Sequence, residues 1–130
     1  MTPLLRPLPR KQVLVVEDSA VIRRLIEVCL RPMDLDVTLV PDGTAGLDQA
    51  AEATPDAVVL DIGLPGIDGW EVLERLHDAE ETMHVPVLML TGHGEAFGDH
   101  DAEQRGAAGL MTKPFLPEAF RRAVSELLGS

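Results

Sequence analysis

Five polar residues stand just behind four apolar runs. Glu17 and Asp18 follow Val13-Leu14-Val15-Val16, and Asp61 follows Ala57-Val58-Val59-Leu60. Thr91 follows Val85-Pro86-Val87-Leu88-Met89-Leu90, and Lys113 comes shortly after Gly109-Leu110-Met111. If these runs are neighbouring strands, three carboxylates, one hydroxyl and one ammonium converge at one edge of a sheet. Unit negative charges about 5 Å apart repel by roughly 3 kcal/mol at an effective dielectric near 20. Such a cluster needs a cation, and a hard divalent ion that prefers oxygen ligands, Mg2+, suits it.

The elements that must position these groups are legible in the hydropathy pattern. Val13–Val16, Ala57–Leu60 and Val85–Leu90 are continuous apolar runs, the signature of strands buried on both faces. Val37–Val40 is shorter and mixed, as an edge strand would be, and Gly109–Met111 is the weakest of the five. Helical spacing falls between them. Ile22, Leu25, Ile26, Cys29 and Leu30 form one apolar stripe, and Phe120, Ala123, Val124, Leu127 and Leu128 form another. Leu47, Ala50 and Ala51 mark a shorter helix, and Trp70, Val72, Leu73 and Leu76 a further one, with Trp70 as packing. Ser19 is placed to cap the first helix and Pro117 to open the last. The least regular helix falls within 93–108, where Gly92, Gly94 and Gly98 weaken its start. Strand and helix thus alternate five times, which implies an α/β fold with a parallel sheet covered on both faces. In such a sheet, functional groups gather at the carboxyl ends of the strands.

Composition narrows the function classes. The 130 residues suffice for one domain, and 45% of them are hydrophobic, which excludes wholesale disorder. Residues 1–10 carry three prolines and no period, so they read as a tail before a domain at 11–130. A formal charge of -11 repels nucleic-acid phosphates and anionic lipid, so no direct nucleic-acid or membrane partner is expected. No apolar run reaches the roughly 18 residues of a membrane span. One cysteine excludes an internal disulfide framework and suits a cytoplasmic setting. Cys29 itself lies on an apolar stripe and reads as a small core residue. His93, Asp99, His100 and Asp101 read as a solvated segment rather than a second metal site.

Four stretches carry a family resemblance: Val-Leu-Val-Val-Glu-Asp-Ser at 13–19, Val-Val-Leu-Asp-Ile-Gly-Leu-Pro-Gly-Ile-Asp-Gly-Trp-Glu-Val-Leu at 58–73, Val-Leu-Met-Leu-Thr-Gly at 87–92 and Leu-Met-Thr-Lys-Pro-Phe at 110–115. In this order and spacing, over about residues 11–128, the chain resembles the receiver domains of two-component response regulators. The resemblance implies a flavodoxin-like five-stranded sheet of order 2-1-3-4-5. It implies that Asp61 accepts a phosphoryl group from a histidine kinase or phosphotransfer protein. By the same resemblance Asp18 and Asp61 ligate Mg2+ directly, Glu17 acts directly or through water, and the Gly63 carbonyl completes the set. Thr91 would bond a phosphoryl oxygen, Lys113 would offset its charge, and the Lys113–Pro114 bond would be cis.

Three positions depart from the pattern. Leu110 stands where the family usually has Tyr or Phe, three residues before the lysine. Gly63 lacks the usual side chain two residues after Asp61, and His93 lies two after Thr91. Glycines at 66 and 69 are read as shaping the loop after Asp61. The resemblance implies a signalling switch rather than a metabolic enzyme. With no further domain after Leu128, the expected output is a protein contact through the fourth helix, fifth strand and last helix, where Arg121 and Arg122 stand out. The rivals are a degenerate receiver serving as a constitutive interaction module, a small aspartate-nucleophile phosphatase and a flavin carrier. The phosphatase is disfavoured because Glu17 and Asp18 are adjacent rather than separated by one residue. The flavin carrier is disfavoured because Glu17-Asp18-Ser19 is not a glycine-rich phosphate loop.

Overall fold

The computed structural model describes residues 9–92 and 99–129, with backbone only at 99 and 100. The strands are β1 (Gln12–Val16), β2 (Asp36–Val40), β3 (Ala57–Asp61), β4 (Val87–Thr91) and β5 (Gly109–Thr112). The helices are α1 (Ala20–Leu30), α2 (Gly43–Glu52), α3 (Gly69–Asp78), α4 (Asp99–Gln104) and α5 (Pro117–Leu127), and a short 3-10 turn, Arg31–Met33, follows α1. All strand pairs are parallel, in the order β2-β1-β3-β4-β5. The mixed run at 36–40 is indeed an edge strand. Of the tail expected at 1–10, residues 1–8 lie outside the described residues. Arg10 pairs with Asp34 at 3.2 Å on the exposed surface, where such a pair contributes little.

Alternation along the buried strands divides the core into two layers. Val13, Val15, Val59, Leu88 and Leu90 pack with Ile26, Cys29, Leu30, Phe120 and Val124 of α1 and α5. Leu14, Val16, Val58, Leu60, Val87 and Met89 pack on the other face, with Ala50, Val72, Leu73 and Leu76 of α2 and α3. Side chains of a strand point alternately to opposite faces, so each central strand must be apolar throughout. Cys29 is fully enclosed, and burial pushes its thiol pKa up.

Caps fix where the helices start. Ser19 Oγ accepts from the Ile22 N–H, as the sequence predicts. Asp42 and Asp68 do the same for α2 and α3, accepting from Ala45 and Glu71. Pro117 occupies the first turn of α5. Leu25 departs from the predicted stripe. It is 40% exposed, and Val21 and Val28 share its side of α1 at 77% and 45%. At 3.6 residues per turn these three flank the buried stripe, and α1 therefore keeps an apolar face in solvent.

Two glycines shape the loop that follows β3, for different reasons. Gly66 has φ +75°, a region other residues enter at a cost. Gly69 has no such torsion but sits against the end of β3. A Cβ there would lie 2.7 Å from the Ile62 Cα and closer still to the Asp61 carbonyl oxygen. At Gly66 a Cβ would meet nothing. Gly69→Ala must displace backbone, which costs about 1–3 kcal/mol in a packed region. It is expected to lower the melting midpoint by several degrees and by more than Gly66→Ala, a ranking that thermal melts of the two variants check.

Candidate functional site

Strand register determines which side chains meet. Val16 pairs with Leu60, so the next residues, Glu17 and Asp61, are neighbours at the carboxyl edge. Both share the side-chain parity of Val15 and Val59, toward α1 and α5. Lys113 shares the parity of Met111, which packs on that same face, and reaches back to them. Its Nζ lies 3.0 Å from Glu17 Oε1 and 3.2 Å from Asp61 Oδ1. Glu17 is completely enclosed and Asp61 is only 3% exposed, while Asp18 sits at the open mouth. One oxygen from each of Glu17, Asp18 and Asp61 falls within a span of 4.8 Å.

The local backbone holds these groups. The Ser19 N–H donates to Glu17 Oε2 at 3.0 Å, so both Glu17 oxygens are engaged. The Gly63 N–H donates to Asp61 Oδ1 at 3.2 Å. Thr91 is buried at the end of β4, and its hydroxyl donates a long bond, 3.4 Å, to the Gly92 carbonyl. The Lys113–Pro114 bond is cis. All five polar residues singled out in the sequence thus stand at one edge. His93 lies outside the described residues, as does the glycine-rich stretch 93–98.

The charges do not balance. Burial raises the Glu17 pKa, and the nearby Asp61 charge adds to this, whereas the Ser19 and Lys113 hydrogen bonds oppose it. For Lys113, burial works to lower the pKa. The Glu17 hydrogen bond and the charges of Asp61 and Glu17 outweigh it, and the net shift is upward. One ammonium faces three carboxylates, so the pocket retains negative charge. Hard oxygen donors converging within one ligand span, with too little positive charge among them, fit a divalent cation.

Sequence reasoning missed two contributors. Arg23, one turn into α1, donates from Nη1 to the carbonyls of Glu17 at 2.8 Å and Asp18 at 3.0 Å. Its position five residues after Asp18 was the available signal. Arg105, just past α4, lies over the Trp70 ring with its guanidinium carbon 4.0 Å from the ring centroid, tying the end of α4 to α3. Trp70 is otherwise packing, as the sequence predicts. Arg121 requires a correction. It does not border the face made by α4, β5 and α5, because its Nη1 donates to the Cys29 carbonyl of α1 at 3.4 Å. Helical rotation carries Ala123, Glu126 and Leu127 to the β5 side of α5, and Arg121 to the α1 side.

A family model described as the response regulator receiver domain matches residues 13–125. The chain is 36% identical over 117 residues to the DNA-binding dual master transcriptional regulator RpaA of Synechocystis, covering 90% of this chain and 48% of that protein. It is 36% identical over 118 residues to the alkaline phosphatase synthesis transcriptional regulatory protein PhoP of Bacillus subtilis, covering 91% and 48%. The chain therefore spans about half the length of the curated relatives it matches. Among solved structures, it is similar to the chemotaxis response regulator CheY4 of Vibrio cholerae. The TM-score is 0.84 at 28% identity, covering 92% of this chain and 100% of that one. It is also similar to the receiver domain of the sensor histidine kinase PA1611 from Pseudomonas aeruginosa, with a magnesium ion coordinated in its active-site cleft. That match has a TM-score of 0.83 at 31% identity and covers 94% and 100%.

The pocket sets a pH dependence. A carboxyl whose folded pKa lies above its unfolded value stabilises the fold at low pH and loses that contribution as pH rises. Glu17 is such a group, and Lys113 compensates its charge. Lys113→Met in chelator-treated buffer should cost about 2–3 kcal/mol at pH 8, because it strands a buried carboxylate. The deficit should shrink as pH falls and Glu17 takes up a proton. Adding Glu17→Gln should remove most of it at pH 8. Urea melts of wild type and variants across this range provide the check, and a deficit constant in pH would contradict the electrostatic account.

Proposed function

The chain belongs to the response regulator receiver domains, and on that premise we propose that Asp61 is its phosphoacceptor and Mg2+ its metal. The carrying observation is the buried Asp61 carboxylate beside Lys113, within one ligand span of Glu17 and Asp18. The switch domain is taken as residues 11–130.

Asp18 and Asp61 would hold the ion directly, Glu17 directly or through water, and the Gly63 carbonyl would complete the protein set. Bound there, a divalent ion supplies charge neutralisation for the incoming phosphoryl group. A carboxylate oxygen of Asp61 forms the new P–O bond as the P–N bond to the donor histidine breaks. Lys113, already at Asp61, offsets charge on the transferred group. Glu17 keeps the ammonium anchored, and its burial excludes water from behind the pair. Thr91 ends the adjacent strand, and its hydroxyl would bond a phosphoryl oxygen. That bond would draw the end of β4 toward Asp61.

The surfaces support two kinds of partner. A histidine kinase or phosphotransfer protein is the donor, and the exposed apolar side of α1 at Val21, Leu25 and Val28 begins three residues after Asp18. Output is a protein contact on the face of α4, β5 and α5. A groove of about 620 Å³ opens there between Leu88, Glu103, Leu110, Met111, Ala123 and Leu127. Leu110 packs against the core from this groove, so the position usually held by an aromatic ring is filled by an aliphatic one. No helix among the described residues is long and apolar enough to cross a membrane. A cytoplasmic location agrees with that and with the single cysteine.

Incubation with a small phosphodonor such as acetyl phosphate and Mg2+ should add one phosphoryl group. Intact-mass measurement should show it in wild type, and neither in Asp61→Asn nor after chelation. Persistence of the added mass in Asp61→Asn would remove Asp61 from its role.

A further inference from the structure

The two carboxylates Glu17 and Asp18 are consecutive residues, so their relative direction is set by the backbone torsions between them. That backbone has just left β1 and no longer has a continuous ladder. The Glu17 N–H still donates to the Val40 carbonyl, but carbonyls at a strand end need partners from elsewhere. Arg23 supplies them, with one guanidinium nitrogen on both carbonyls. Its own N–H donates to the Ser19 carbonyl, so the helix and the side chain close on the same three-residue loop, 17–19.

The placement runs against simple electrostatics. A cation near the first turn of a helix is disfavoured by the helix dipole. Arg23 nevertheless points back over the α1 start, the direction helical side chains take. What it gains there is two charge-assisted bonds to the loop that presents Glu17 and Asp18.

We propose that Arg23 is a positioning residue for the metal site, holding the Glu17–Asp18 backbone so that the two carboxylates converge with Asp61. This rests on the metal reading given above. Asp18 benefits most, because it is the exposed member and packing restrains it least. Outer groups that orient metal ligands typically account for 10–100-fold in affinity when removed. Arg23 acts through backbone rather than on a ligand atom, so about 3–10-fold is expected. The opposite sign would follow if Arg23 acted only through its charge. A guanidinium near the pocket repels a divalent ion, and removing it would then tighten binding.

Calorimetric titration of Mg2+ into wild type, Arg23→Ala and Arg23→Lys, without any phosphodonor, separates the two. Positioning predicts weaker binding in Arg23→Ala by about 3–10-fold, with partial recovery in Arg23→Lys, which keeps the charge but lacks the planar fork. With acetyl phosphate added, the Arg23→Ala phosphorylation rate should fall at low Mg2+ and return to within about twofold of wild type at saturation. A merely structural defect would lower the rate at every Mg2+ concentration. Equal or tighter Mg2+ binding in Arg23→Ala overturns the proposal while leaving the metal site intact. If Arg23→Ala does not fold, Arg23→Lys carries the test alone, and an affinity unchanged from wild type overturns it. No Mg2+ binding to wild type would instead overturn the metal reading itself.

Discussion

The structure turns on one imbalance: a single ammonium, Lys113, is shared between two buried carboxylates, with a third at the mouth. Glu17 is enclosed by protein and tolerable as a charge only because Lys113 and the Ser19 N–H meet its oxygens. Asp61 draws on the same ammonium. Three carboxylates around one ammonium leave a net negative charge, which suits a divalent cation. On the function proposed above, a group that brings phosphoryl oxygens to Asp61 would compete for the same cation that meets Glu17. Asp61 and Glu17 are thereby linked through one ammonium, which lies ninety-six residues from Glu17 in sequence.

Everything else serves to keep that edge rigid. Two apolar layers clamp the sheet, and the central strands β1, β3 and β4 are buried on both faces. Their register places Glu17 beside Asp61, and Thr91 level with Thr112, one residue from Lys113. The loop after β3 is pinned by Gly69, whose missing side chain lets α3 begin directly against the Asp61 backbone. The loop after β1 is pinned by Arg23. Both devices act on backbone, which is the economical way to aim a short carboxylate with little rotamer freedom of its own.

The α4 end of the sheet carries a different kind of tie. The described part of α4 is six residues long, and its end is held to α3 by Arg105 on Trp70. A cation over an aromatic face contributes about 0.5–2 kcal/mol depending on solvation. That is small beside the differential interaction a phosphoryl group can supply, so this tie is of the size a switch can break. The groove between α4, β5 and α5 is lined by Leu110 and Met111 rather than by an aromatic ring. The chain has no tyrosine, so the groove presents no phenolic hydroxyl.

Most of the site was legible in the residues themselves, because parallel strands buried on both faces must be apolar throughout. In such a chain a polar residue at or near the end of an apolar run stands out, and Glu17, Asp18, Asp61, Thr91 and Lys113 all do. The alternation of strands and helices also implied the sheet, and Ser19 and Pro117 marked helix starts through local hydrogen bonding and torsion alone. Asp42 and Asp68 carried the same local signal as caps. What the one-dimensional pattern left open depends on direction across space. Leu25 fits the helical period of a core stripe, but α5 covers only one side of α1 and leaves it exposed. Arg121 is a surface arginine in any reading, and only the rotation of α5 decides that it faces Cys29. Arg23 looks like an ordinary helix cation until the turn of α1 brings it over the β1 carbonyls. Residue types and their period determined the elements and the edge where chemistry collects. The packing angles of α1 and α5, which depend on every contact at once, decided which cations reach that edge and hold it.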